Sequence, residues 1–271
     1  MTRLSIPALA LLLAAAAATP TPSTAQEAAT PAVNSALQAA VADPGRDAAQ
    51  RARDRYRHPA ETLAFFGLKP TDTVIEISPG SGWYSAILAP YLRDSGRYIA
   101  ASATPAPGRS SPLPALFAAD ASRYGRASLH WYDGKSPSLG APASADAVLT
   151  FRNVHNWVAA GTADTYFQAF FAALKPGGTL GVVDHRAKPG TDLETMKKSG
   201  YLTEALVIDL ATRAGFVLDA RSEVNANPAD SADHPNGVWT LPPTNRHDAT
   251  DAEKYRAIGE SDRMTLRFRK P

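Results

Sequence analysis

The chain of 271 residues contains no cysteine. That excludes disulfides, a lipid-modified thiol and any zinc site built on thiolates, so the fold must be held by its apolar core. Net charge is also scarce. The 28 Lys and Arg against 26 Asp and Glu leave +2, too small a surplus for a general nucleic-acid footprint, and no nucleic-acid partner is expected. Long apolar runs are missing as well. The strongest, Leu9 to Ala18, is roughly half of what a bilayer-spanning helix requires, and no later stretch approaches about 20 uninterrupted apolar residues.

That short run has the flanks of an export signal. Arg3 supplies positive charge ahead of it, and Ser23-Thr24-Ala25 offers a small-residue cleavage site. The expectation is a signal peptide over residues 1–25 and an exported, periplasmic protein with no stable membrane insertion once the signal is cleaved. Residues 26–42 read as a linker and the start of a helical lead-in, because Gln26 to Val33 is rich in Ala, Thr and Pro. The remainder, residues 43–271, is long enough for one ordinary α/β domain. Its oligomeric state has no signature in the sequence.

From Asn34 to Phe66 the pattern is helical, broken at Asp43-Pro44-Gly45 and at His58-Pro59. Arg46, Arg51, Arg53, Arg55 and Arg57 cluster here. Because Asp47 and Asp54 interrupt them, they read as a solvated helix face rather than a patch for an anionic ligand. Beyond, short aliphatic or β-branched runs alternate with helix-period stretches, the pattern of a parallel sheet covered by helices. Strands are predicted near Val74 to Ile77, Tyr98 to Ala101, Ser128 to Trp131, Ala147 to Phe151, Leu180 to Val183, Phe216 to Leu218 and Met264 to Phe268. Helices are predicted over Tyr84 to Leu92, Leu113 to Tyr124, Thr162 to Leu174 and Thr203 to Ala214. A Pro-rich insertion, residues 225–262, separates the last two strands; at that length it reads as functional or mobile, and its Trp239 either lines a pocket or pins the loop.

Chemistry is concentrated where the first strand, Val74-Ile75-Glu76-Ile77, runs into Ser78-Pro79-Gly80-Ser81-Gly82 and then a helix. Gly80 and Gly82 permit a tight turn and a close ligand approach, and the new helix presents unpaired N–H groups. Glu76 at the strand end would repel a pyrophosphate but receive an amino group. A dinucleotide fingerprint would also want a third small residue, for which only Ser85 stands in, and an acid after the second strand, which ends Ala100-Ala101-Ser102. Glu76, Ser78, Gly80 and Gly82 are therefore assigned to a cofactor whose amino group meets Glu76.

The segment Leu174-Lys175-Pro176-Gly177-Gly178-Thr179-Leu180 resembles the turn before the fifth strand of class I methyltransferases that use S-adenosyl-L-methionine (SAM). Tyr56-Arg57-His58-Pro59, Phe65-Phe66-Gly67-Leu68, Pro79-Gly80-Ser81-Gly82-Trp83-Tyr84 and Asp184-His185 together resemble a family of exported, largely uncharacterised predicted class I SAM-dependent methyltransferases. The likeness runs from about Asp43 to Pro271. It implies a Rossmann-like seven-stranded, mostly parallel sheet with an antiparallel last strand and helices on both faces. It also implies SAM as cofactor, with methyl transfer to a small-molecule or envelope acceptor. Residues 43–68 would form an N-terminal helical lid.

Ligands of open α/β sheets sit beyond the carboxyl ends of the strands. After the third strand Asp133 either meets the adenine or ribose or serves as ordinary Asp-Gly turn chemistry. After the fourth comes Arg152-Asn153-Val154-His155-Asn156-Trp157, and after the fifth Asp184-His185-Arg186. Asn153 is assigned to the cofactor, and His155 or His185 to removing the acceptor's proton, since imidazole titrates near neutral pH. Either histidine would equally serve to shape the pocket. Asp184 with Asn153 and the histidines also offers metal-ligating atoms, but no pair among them has helical metal-site spacing, so no metal is expected. A non-catalytic small-ligand-binding module on the same fold is the alternative, motivated by the acid-free second strand.

Overall fold

A computed structural model of the protein describes Thr2 and residues 32–271. The expected signal peptide and most of the linker lie outside the described residues. Among the described residues no helix is long and apolar enough to cross a membrane.

Seven strands form one sheet: β1 (Thr73–Ile77), β2 (Arg97–Ala103), β3 (Ser128–Tyr132), β4 (Ala145–Phe151), β5 (Leu174–His185), β6 (Val217–Ser222) and β7 (Arg263–Arg269). Their spatial order is β3-β2-β1-β4-β5-β7-β6, with β1 to β5 parallel and β7 antiparallel to both neighbours. This is the expected sheet. The chain turns outward in opposite directions from β1 and β4, which opens a crevice beyond their carboxyl ends, where such sheets bind ligands.

Alternation along the central strands divides the core in two. Ile75, Ile77, Val148, Leu180 and Val182 face one side, against Trp157, Phe167, Phe170 and Leu210. Val74, Ala147, Leu149 and Val183 face the other, against Leu37, Leu63, Phe66, Ile87 and Leu92. Both faces are dry, which is why these strands read as nearly continuous apolar runs. Glu76 is in phase with Val74 and so enters the second layer, under the helix Ser85–Leu92.

The lead-in becomes four short helices, Ser35–Ala42, Ala48–Arg51, Asp54–Arg57 and Pro59–Phe65. The breaks at Pro44 and Pro59 fall where predicted. Phe66 packs so closely on β5 that a Cβ on Gly181 would lie 2.8 Å from its ring. The predicted helix over Leu113 to Tyr124 splits at Asp120, whose carboxylate leaves the helix to accept from Arg123 N at 3.0 Å. The helices Val154–Ala160 and Leu193–Ser199, and the Ala252–Ile258 helix inside the insertion, are each seven residues long, too short to show an apolar period that could be read in advance.

Candidate functional site

The turn after β1 holds three residues in the left-handed region: Ser78 (φ 50°), Gly80 (φ 63°) and Gly82 (φ 83°). Ser78 is anchored by its N–H to Ala101 O at 2.7 Å and by its hydroxyl to the Tyr132 hydroxyl at 3.2 Å, contacts that hold a non-glycine residue where glycine is preferred. The two glycines do different work. Gly80 has open space above its Cα, whereas a Cβ on Gly82 would lie 2.4 Å from Leu116 Cδ2. Gly80 therefore keeps the backbone open to the crevice, and Gly82 packs the turn.

Glu76 is buried, and its Oε2 accepts from the Tyr98 hydroxyl at 2.5 Å and from Ser85 Oγ at 3.3 Å. Burial pushes its carboxyl up to about 7, and the two hydroxyls offset only part of that. Glu76 is among the residues lining the cavity of about 410 Å³ above the turn. That volume lies within the ~300–1,000 Å³ range of small-molecule sites.

Ser78, Gly80, Asn153, His155 and His185 share this cavity with Glu76. Asn153 Nδ2 donates to Ile77 O at 3.0 Å and to Thr150 Oγ1 at 3.3 Å, closing β4 against β1 at the crevice. Asp133 is not brought in. It is exposed, its Oδ1 accepts from Lys135 N at 2.9 Å, and it forms the Asp-Gly turn that was the second reading of this residue.

The exits of β4 and β5 meet as expected. Asp184, fully buried, accepts from the backbone N–H groups of His155 (3.2 Å) and His185 (2.8 Å), and its Oδ1 lies 2.8 Å from His155 Nδ1. That contact sets His155 as the Nδ1–H tautomer, leaving Nε2 as the basic nitrogen in a residue that lines the cavity. His185 is held differently. Its Nε2 accepts from Arg152 Nε at 3.3 Å and its Nδ1 meets Ser261 Oγ at 2.5 Å, so both nitrogens are engaged. Burial, and then the Arg152 guanidinium, push His185 well below the ordinary imidazole range. Of the two predicted bases, His155 has the free nitrogen.

His155, Asp184 and His185 also offer ligand atoms within 4.8 Å of one another. Two imidazoles and a carboxylate are a metal-ligating set, but here a cation would stand beside the Arg152 guanidinium and compete with the hydrogen bonds just described.

Two features were missed or misread, the lead-in arginines and Arg263, while Trp239 follows the first of its two readings. The arginines of the lead-in are not a uniformly solvated face. Arg51 and Arg55 are exposed, but Arg46 and Arg57 are buried, and Arg53 and Arg57 line the cavity. Arg263 at the start of β7 joins them there, brought in by tertiary structure alone. Trp239, in a 3-10 turn of the insertion, lines the cavity with Pro243 and Thr244, its ring 6.2 Å from that of His155.

No protein-family model matches the chain, and no curated protein matches it in sequence. Solved structures do match. A SAM-dependent methyltransferase from Aquifex aeolicus is 15% identical, with 81% of this chain and 93% of that one covered and a TM-score of 0.53. A protein provisionally described as a sarcosine dimethylglycine methyltransferase from Galdieria sulphuraria is 16% identical over 81% and 86%, at 0.55. The [4+2]-cyclase SpnF is 17% identical over 85% of each chain, at 0.53. At these identities the likeness is one of fold, and the fold is the Rossmann-like one of class I SAM-dependent methyltransferases.

Proposed function

We propose that this chain is a SAM-dependent methyltransferase acting on a small-molecule or envelope acceptor whose nucleophile carries a proton. The observation that supports it is the convergence, in one cavity, of the open Gly80 turn, the buried acid Glu76 and the His155–Asp184 pair. When bound, SAM supplies a methyl group on a sulfonium, open to in-line attack. The residues present fit it: Gly80 leaves room for close approach to the backbone, and Glu76 provides an acid for the amino group at the end of β1. Asn153 fixes the wall between β1 and β4. His155 Nε2 takes the acceptor's proton, while Asp184 holds the ring and balances the imidazolium. His185, locked between Arg152 and Ser261, positions the Arg152 side chain.

Export to the periplasm belongs to the same reading, on the strength of Arg3, the apolar run and Ser23-Thr24-Ala25. Isothermal titration with SAM and S-adenosylhomocysteine tests the assignment, and no binding at millimolar concentration overturns it. The second reading is a non-catalytic ligand-binding module. It is favoured by β2, which passes from Ala103 to Thr104 without the acid a ribose would use, and by the cyclase that shares the fold. Native mass spectrometry of protein purified from its own compartment decides, since a co-purifying nucleoside sulfonium rejects the module.

A further inference from the structure

Four arginines line one side of the cavity: Arg53 and Arg57 from the lead-in, Arg152 after β4, and Arg263 opening β7. Among the described residues, a single carboxylate accepts hydrogen bonds from any of them. Glu260 accepts from Arg53 Nε at 2.6 Å, from Arg57 Nε at 3.0 Å and from Arg263 Nη2. Arg152 donates instead to the uncharged ring of His185. Four cations against one anion leave a surplus of positive charge in a largely buried wall, an arrangement that is costly without a further counter-charge.

The strain of that surplus is visible in the groups themselves. Burial, together with the neighbouring arginines, brings the Arg152 guanidinium down to about 9 and that of Arg57 to about 10, while the arginines hold Glu260 down at about 2. Hydrogen bonding is also incomplete. Arg57 Nη2, Arg53 Nη2 and Arg263 Nε are buried without a partner among the described residues, and the Arg57 and Arg263 side chains are only 8% and 2% exposed. Trp83 covers the face of Arg57, its ring centroid 4.7 Å from Cζ, so the guanidinium has only its edge left to offer. An edge of parallel N–H groups is the complement of a carboxylate or phosphate.

We propose that Arg57, Arg152 and Arg263 form an anion-binding subsite in the cavity wall, which takes a carboxylate or phosphate group of the bound molecule. The subsite stands on charge and geometry whether or not the turn binds SAM. If it does, the two assignments reinforce each other. A sulfonium and an ammonium would be repelled by an arginine wall unless an anion intervenes, either the cofactor's own carboxylate or an acidic group of the acceptor.

The test is a titration of the intact protein with sodium phosphate and sodium acetate against sodium chloride of equal ionic strength. Tryptophan fluorescence is the readout, because Trp83 and Trp239 both line the cavity. The expected result is a saturable change with phosphate or acetate, weakened about tenfold or more in Arg152→Gln and in Arg57→Gln. It should weaken less in Arg57→Lys, which keeps the charge but loses the edge of parallel N–H groups, and be retained in Arg93→Gln, a surface control paired with Asp94. Arg152→Gln keeps the test decisive if Arg57→Gln misfolds, since Arg152 makes no bond to Glu260. No saturable response beyond that of chloride, or an undiminished response in Arg152→Gln, overturns the subsite. Competition identifies the source. Displacement of phosphate by S-adenosylhomocysteine but not by its decarboxylated analogue assigns the subsite to the cofactor's carboxylate, and simultaneous binding assigns it to the acceptor. A phosphate response without any S-adenosylhomocysteine binding keeps the subsite and sinks the methyltransferase reading alone.

Discussion

Two buried carboxylates, Glu76 and Glu260, are pulled in opposite directions by what surrounds them. Glu76 has hydroxyls but no cation, and burial raises it from 4.5 to about 7. The folded state then holds a proton that the unfolded chain releases, so stability falls as pH rises from about 4.5 to about 7. Glu76→Gln should remove that slope. Its unfolding free energy relative to the natural protein should improve by about 1–3 kcal/mol between about pH 5 and about pH 8, with urea titrations at a series of pH values as the check. Parallel curves would mean that the carboxyl is not held high. For the histidines the prediction is catalytic. His155→Gln should lower methyl transfer by about 10²–10⁴-fold while leaving calorimetric affinity for SAM nearly unchanged, because the base acts on the acceptor. Full activity in His155→Gln would remove the proposed base. The chain order of Asp184 and His185 was visible in the sequence, but which histidine has a free nitrogen was not. That depends on Arg152 and on Ser261, which arrives from the far end of the insertion.

At the scale of elements, the turn Ser78 to Gly82 was legible because strand, glycine spacing and helix lie consecutively in the chain and the backbone demands are local. The structure separates what the spacing could not. Gly82→Ala must place a methyl against Leu116 at a left-handed φ, whereas Gly80→Ala meets only the backbone strain and then intrudes on the crevice. Because the methyl meets only the movable end of the Leu116 side chain, Gly82→Ala should lose about 1–3 kcal/mol in chemical denaturation, more than the about 1 kcal/mol of Gly80→Ala. Ligand affinity should fall in Gly80→Ala beyond what its stability loss explains; equal stability losses in the two variants would refute this division of roles. The lead-in helices show the opposite limit. Their breaks were readable from Pro44 and Pro59, but helices of four residues, such as Asp54–Arg57, have no apolar stripe that tells a buried arginine from an exposed one. Arg57 points inward only because β7 and Glu260 are there to meet it.

Across the whole molecule, Glu260 joins parts of the chain about two hundred positions apart, binding Arg53 and Arg57 of the lead-in to Arg263 of β7. Its carboxyl is held at about 2, below the ordinary 4.5. It therefore contributes stability that is full above about pH 4.5 and is lost as pH falls toward 2. Glu260→Gln should cost about 3–5 kcal/mol, because it leaves the buried arginines without their anion. Part of that loss should return in phosphate but not in chloride of equal ionic strength, as read by the thermal midpoint; a loss under 1 kcal/mol would show that the cluster is neutralised by solvent. By itself, the sequence determined the order of the seven strands and of the longer helices, the glycine turn and the polar exits after β4 and β5. Each of these is encoded in neighbouring residues through periodicity, backbone freedom and burial. Only the tertiary structure decided that His155 keeps the free nitrogen and that arginines of the lead-in and of β7 share one wall. Those outcomes depend on which distant groups supply the counter-charge, the hydrogen bond and the low-dielectric surroundings, and no local pattern carries that information.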